Sequence, residues 1–181
     1  MSDFLRIVLI FVLAVNPALV ANVLKDRTVP LGQAALGAAM AVAVYLLLAV
    51  GADGILEVLA IEPETAQVAA GVLLAVGGGL AVATAGREFR DLWSETWPGA
   101  FPLGAPLLIC PPGIVAAVSY SANESIGVAL GAAAIAVAVA AAAAVLTLGR
   151  FWIAADALAR LSGGVLVLLA AGIIVDGVKS V

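Results

Sequence analysis

The chain has 181 residues, 65% of them hydrophobic and 11% charged, with a formal net charge of −4. Soluble domains run at about 45–50% apolar and roughly 25% charged residues, so a mean hydropathy of +1.23 excludes a soluble fold and marks an integral membrane protein. Histidine is absent and Cys110 is the single cysteine, which excludes disulfides, thiolate zinc sites, haem axial histidine and Ser–His–Asp hydrolysis.

The length suits about six spans of ~20 residues each. The first apolar run, Phe4 to Leu24, carries only Asp3 and Arg6 near its start and is interrupted at Asn16-Pro17. A polar Asn-Pro is wrong for the apolar region of a signal peptide, so the run reads as span one. Lys25-Asp26-Arg27 is a charged turn, Pro30 restarts the next helix, and span two is about Leu31 to Val50. Gly51 to Thr65 is too short and too acidic to span and reads as a loop with an interfacial turn of helix. Span three, about Ala66 to Ala85, contains Gly77-Gly78-Gly79.

Gly86 to Phe101 is the longest polar connection, where Phe89, Trp93, Trp97 and Phe101 alternate with charges in the manner of interfacial anchors. Span four, about Leu103 to Ser121, carries Pro106, Pro111 and Pro112. Span five, about Ser125 to Leu148, is alanine-rich and is expected inside the bundle, where small side chains allow close packing. Arg150 to Arg160 reads as a second short amphipathic connector, and span six as about Leu161 to Val178.

Six of the eight cations (Lys25, Arg27, Arg87, Arg90, Arg150 and Arg160) fall in the connections on one side. The positive-inside rule puts that side in the cytoplasm and both termini outside it. The expected location is a bacterial or archaeal plasma membrane.

The two halves resemble each other. Val15 to Ala21 lies over Cys110 to Ala116, Leu36 to Ala39 over Leu130 to Ala133, and Gly71-Val72-Leu73 over Gly164-Val165-Leu166. Residues 1–85 and 103–181 then form two three-span repeats joined by residues 86–102. An odd number of spans per repeat gives opposite orientations, the inverted repeat of secondary transporters with a mid-membrane site between the halves. The expected fold is therefore all-α, with six transmembrane helices as a 3+3 inverted repeat and broken helices one and four.

Proline has no N–H and clashes with the carbonyl four residues earlier. Pro17 would free the Leu13 carbonyl, and Pro111 and Pro112 those of Leu107 and Leu108. Freed backbone at membrane depth is tolerated only inside protein or beside a watered cavity. The expected substrate site is therefore Asn16, Pro17, Cys110, Pro111, Pro112 and Gly113, with Asn16 as the leading ligand contact. Half-helix N-termini would hold a carboxylate, and freed carbonyls an ammonium or a cation. The alternative is a pair of kinks that only shape the bundle. Asn22 reads as a cap or interhelical contact as well as a gate residue, and Ser119, Pro106 and the run Gly77, Gly78, Gly79 as gate or hinge positions. A triple glycine is more often a face for close helix approach. Thr84 is expected to bond back to its own helix. No acid or base lies firmly mid-membrane, so no buried proton relay is visible; coupling by Na+ or H+ stays open.

Phe11 to Asn22, FVLAVNPALVAN, resembles the Asn-Pro first helix of the MarC family of small membrane proteins. Phe101 to Gly113, FPLGAPLLICPPG, resembles its second signature, with Pro111 in place of the first glycine of a Gly-Pro-Gly. Gly54 to Leu74 is similar to the stretch where that family has a G-x-x-I-L-like loop and then a glycine-opened helix, and Arg160 to Val178 resembles its last helix. The resemblance implies a six-span protein of the wider LysE-like transporter group, some members of which carry small neutral amino acids such as glycine and alanine.

The leading expectation is thus a secondary transporter of small neutral solutes, not an enzyme, with the bilayer and the solute as partners, no nucleic acid and no cofactor; a homo-oligomer is left open. The alternative is a non-transporting membrane scaffold or assembly protein. A thiol-disulfide relay would need a second cysteine where Val15 faces Cys110 in the repeat, and a channel would need more polar residues along a continuous path.

Overall fold

The computed structural model describes residues 3–24, 29–85, 103–146 and 152–180, the side chains of Pro106, Trp152 and Ile153 excepted. The charged turn at 25–27, the aromatic-rich connection at 86–101 and Arg150 lie outside the described residues. All regular elements among those described are helical. Asp3 opens α1 (Asp3–Val15), an acid where the helix dipole favours one. Then Pro17, which cannot donate to the ladder, ends α1 and opens α2 (Pro17–Val23). Pro30 precedes α3 (Leu31–Val50), and Gly51 separates it from α4 (Ala52–Leu59). This short helix sits where the sequence predicts an interfacial turn. Pro63 opens α5 (Pro63–Thr84), which Ala85 ends in a left-handed conformation.

The predicted fourth span is not a continuous helix. Leu103–Leu108 is a π-helical turn disrupted at Ala105 (φ −131°, ψ 126°), and regular helix resumes only as α6 (Pro111–Asn123). Ser125 caps α7 (Ile126–Val145), its Oγ accepting from the Val128 N–H at 3.3 Å. The last helix, α8 (Trp152–Ser180), runs unbroken for 29 residues. This corrects the predicted connector from Arg150 to Arg160, whose described part is helix. Arg160 pairs with Asp156 one turn earlier at 2.8 Å, and its guanidinium also donates to the Val82 and Ala83 carbonyls at the end of α5. Charges that read as part of an amphipathic connector in the sequence instead tie two helices together.

Among the described residues, five helices are long and apolar enough to cross a membrane: Asp3–Val23 (α1 with α2), Leu31–Val50, Pro63–Thr84, Ile126–Val145 and Ala154–Ser180. Their outer faces carry exposed leucine and valine, with Leu47 and Leu168 more than 70% exposed. A multi-pass membrane protein follows, since only lipid makes such a surface favourable.

As expected from its alanines, α7 lies inside the bundle. It packs against α1, α2, α3 and α6, and buries Ala129, Ala132, Ala133, Ala136 and Ala140 along one face. The most extensive pairing is between α5 and α8. A Cβ on Gly78 would lie 2.6 Å from the Gly163 carbonyl, and one on Gly163 would lie 2.6 Å from that of Gly78. Only glycine lets these backbones approach so closely. The large buried side chains Phe11, Tyr45, Leu74, Leu103, Leu108 and Leu166 fill the centre.

Cross-contacts define the two ends. At one, Arg6 on α1 pairs with Asp176 on α8 at 2.7 Å, and the Asn123 side chain donates to the Pro63 carbonyl at 3.1 Å. At the other, the Asn22 side chain donates to the Ala85 carbonyl at 2.9 Å, close to where Arg160 meets α5. Sequence-adjacent spans therefore run in alternating directions.

Candidate functional site

The residue before a proline is disfavoured in the right-handed helical region. Asn16 adopts the left-handed one instead (φ 51°, ψ 78°), which asparagine tolerates better than most residues. Its Oδ1 accepts from the Leu19 N–H at 3.0 Å, and its Nδ2 donates to the Ala159 carbonyl of α8 at 3.1 Å. The predicted leading ligand contact is thus, in this structure, the cap of α2 and a tether to α8. Both ends of its buried amide bond to protein, for the physical reason that an unbonded amide there would be costly.

The second break is assembled differently. Cys110 has extended backbone (φ −95°, ψ 148°) and makes no capping bond to α6. Its thiol donates to the Ala14 carbonyl at 3.4 Å, which joins this break to the first. Pro111 and Pro112 both lack an N–H. The Leu108 carbonyl, which Pro112 would otherwise leave open, accepts from the Tyr45 hydroxyl at 2.7 Å. Gly113 makes room for that hydroxyl, since a Cβ there would lie 2.3 Å from it. Phe11 meets the same tyrosine edge-on, ring centroids 6.1 Å apart.

Two carbonyls remain. Pro17 gives no N–H to Leu13, and Pro111 gives none to Leu107. No other backbone N–H reaches either oxygen among the described residues. A buried carbonyl without a partner costs about 1–3 kcal/mol.

Between the breaks lies a cavity of about 310 Å³. Leu13 to Asn16 and Leu19 wall it on one side, and Leu107 with Cys110 to Pro112 on another. The stripe Leu73, Val76, Gly77, Leu80 and Ala81 of α5 lines a third side, and Leu166 completes it. Among the described residues the wall is overwhelmingly apolar and holds no charged side chain. Val76 and Leu80 are also about half-exposed on the bundle's outer surface, so the cavity borders the lipid-facing side of α5.

Of the predicted substrate residues, Asn16, Cys110, Pro111 and Pro112 meet at this cavity. Pro17 shapes it without lining it, and Gly113 faces Tyr45. Of the predicted gate residues, Gly77 lines it because the Pro112 ring sits on it; a Cβ there would lie 2.4 Å from Pro112 Cγ. Gly78 packs on Gly163, and Gly79 has open space around it. Close packing thus accounts for the first two, and α5 continues as helix through all three. Asn22 is an interhelical contact. Ser119 is buried, its carbonyl accepting from Asn123 at 2.9 Å. The Pro106 side chain lies outside the described residues. Thr84 bonds to the Leu80 carbonyl one turn back, as expected.

Tyr45 is the site residue that sequence reasoning missed. Its signal was a hydroxyl in an otherwise apolar span, since a buried tyrosine normally brings its O–H to a partner.

No protein-family model, curated protein or solved structure matches this chain.

Proposed function

We propose that the protein is a secondary transporter of small neutral solutes, working by alternating access at the cavity between the two helix breaks. The observation that carries this reading is that cavity: about 310 Å³ at the low end of small-molecule sites, lined from both proline-broken segments at mid-bundle. The fourth span in this reading, added to the five above, is the Leu103–Asn123 segment, broken like the first.

The pairing of elements supports an inverted repeat. Exchange of the first, second and third spans with the fourth, fifth and sixth turns the contact of α1 and α2 with α7 into that of Leu103–Leu108 and α6 with α3. It turns the contact of α1 and α2 with α8 into that of α6 with α5. The pairs α3–α7 and α5–α8 map onto themselves, and all of these contacts are made. The breaks correspond one residue away from the sequence register, Asn16 with Cys110 and Pro17 with Pro111, as the residues that precede and open α2 and α6. The MarC-like residues point the same way, toward a six-span plasma-membrane protein, and the distribution of lysine and arginine supports both termini outside the cytoplasm.

Counterflow in proteoliposomes tests the reading. Vesicles are loaded with an unlabelled solute from a panel of small neutral compounds that includes glycine and alanine, and labelled solute is added outside. Accumulation above protein-free vesicles is the expected result. No accumulation across the panel, with the protein shown to be folded, would favour the scaffold alternative.

A further inference from the structure

We propose that the cavity takes an uncharged aliphatic alcohol or diol, its hydroxyl groups donating to the carbonyl oxygens of Leu13 and Leu107. This rests on the carrier reading only for the claim that the bound solute is the one transported.

The chemistry of the wall decides the class. An ion would enter a site whose wall, among the described residues, holds no charged side chain, and an unpaired desolvated charge is strongly disfavoured. A carboxylate needs N–H donors. The second break opens with two prolines that have none, and at the first the Leu19 N–H and one of the two Asn16 Nδ2 hydrogens already bond to protein. A zwitterionic amino acid would therefore set a full negative charge against at most a neutral amide N–H, with no cation beside it. Acceptors are what the site has in excess. Leu13 and Leu107 both line the cavity and both lose their usual donor to a proline.

The neighbouring carbonyls sharpen the point. Ala14 accepts from the Cys110 thiol and Leu108 from the Tyr45 hydroxyl. The fold thus supplies a side-chain donor to one carbonyl at each break and leaves the preceding one, 94 residues apart in the two halves, to a guest. An apolar wall suits a short hydrocarbon body. The volume has room on the order of ten water-sized groups.

The test uses Cys110, the only cysteine in the chain, as its reporter. The purified full-length protein in detergent is alkylated with N-ethylmaleimide in the presence of 1,5-pentanediol, 1,5-dimethoxypentane, pentanoate, glycine or alanine, and thermal unfolding is followed in parallel. The diol is expected to slow alkylation at least several-fold and to raise the melting temperature. The diether, which has the same body and no donor, and the three charged or zwitterionic solutes are expected to do neither. Pro17→Ala and Pro111→Ala each let the helix close through its break onto the carbonyl four residues earlier and are expected to weaken protection by the diol about tenfold. The comparison of diol with diether on the unaltered protein stands even where a variant fails to fold.

Equal protection by the diether would reduce the effect to apolar filling and overturn the proposal. So would absence of protection and of any melting shift by the diol. If alanine or glycine protects and also exchanges in proteoliposomes, the carrier reading stands and this solute class falls. If no solute protects and none exchanges, both fall.

Discussion

At the first break Asn16 caps α2 from within the break, while at the second Cys110 makes no capping bond and the stabilising partners come from elsewhere in the chain. The Tyr45 hydroxyl, on α3, satisfies the Leu108 carbonyl, Gly113 clears space for that hydroxyl, and Gly77 on α5 accepts the Pro112 ring. A local break can be encoded by two adjacent residues. A break built from remote parts depends on the whole bundle being folded first. Equivalent positions in the two breaks should therefore respond very differently to the same substitution.

The largest expected effect is at Asn16. Asn16→Ala removes the cap on α2, typically worth 0.5–2 kcal/mol, and leaves an alanine in a left-handed conformation that costs roughly 1–2 kcal/mol. It also removes the bond to the Ala159 carbonyl. A loss of roughly 2–4 kcal/mol is expected, read as a drop in unfolding midpoint in detergent. Asn16→Gly, which tolerates the left-handed backbone, should recover part of it. A midpoint unchanged in the alanine variant would mean that the first break is not held by its own cap.

Tyr45→Phe is the corresponding blow to the second break. It keeps the ring that packs on Phe11 and removes only the donor to the Leu108 carbonyl, about 1–3 kcal/mol for a buried acceptor left alone. The substitution lies 63 residues from the break it weakens. Local helix content around Pro111–Asn123, followed by hydrogen exchange, should fall more than that of α2. Equal loss at both breaks would remove the distinction between them.

That difference also decides what could be read from the chain. The membrane class followed from composition. The breaks at Pro17 and Pro111 and the limits at Pro30 and Gly51 followed from single residues, because a missing N–H or a flexible backbone acts on its own neighbours, whereas the start of α5 at Pro63 was placed three residues late. The position of Asn16 at a break was legible for the same reason, but its bond to the Ala159 carbonyl was not. Whether a polar side chain meets a solute or the Ala159 carbonyl depends on a helix 143 residues away. Tyr45, Gly113 and the seat of Pro112 on Gly77 were invisible on the same ground. Each is one half of a contact whose other half is distant in the chain. The start of α8 was misread in the opposite sense, because Arg160 and Asp156 look solvated until α5 supplies the carbonyls that Arg160 binds.

The smallest expected effect carries the contrast to its end. Cys110 precedes α6 as Asn16 precedes α2, yet its backbone is extended and favourable for any residue, and it offers α6 no cap. Cys110→Ala removes one long thiol bond to the Ala14 carbonyl and a small side chain at the cavity wall. Thiols are weak donors, so the cost should stay below about 1 kcal/mol, well under that of Asn16→Ala in the same unfolding measurement. A loss as large as that at Asn16 would mean that the Cys110–Ala14 contact, rather than the caps and prolines, is what holds the two breaks around the cavity.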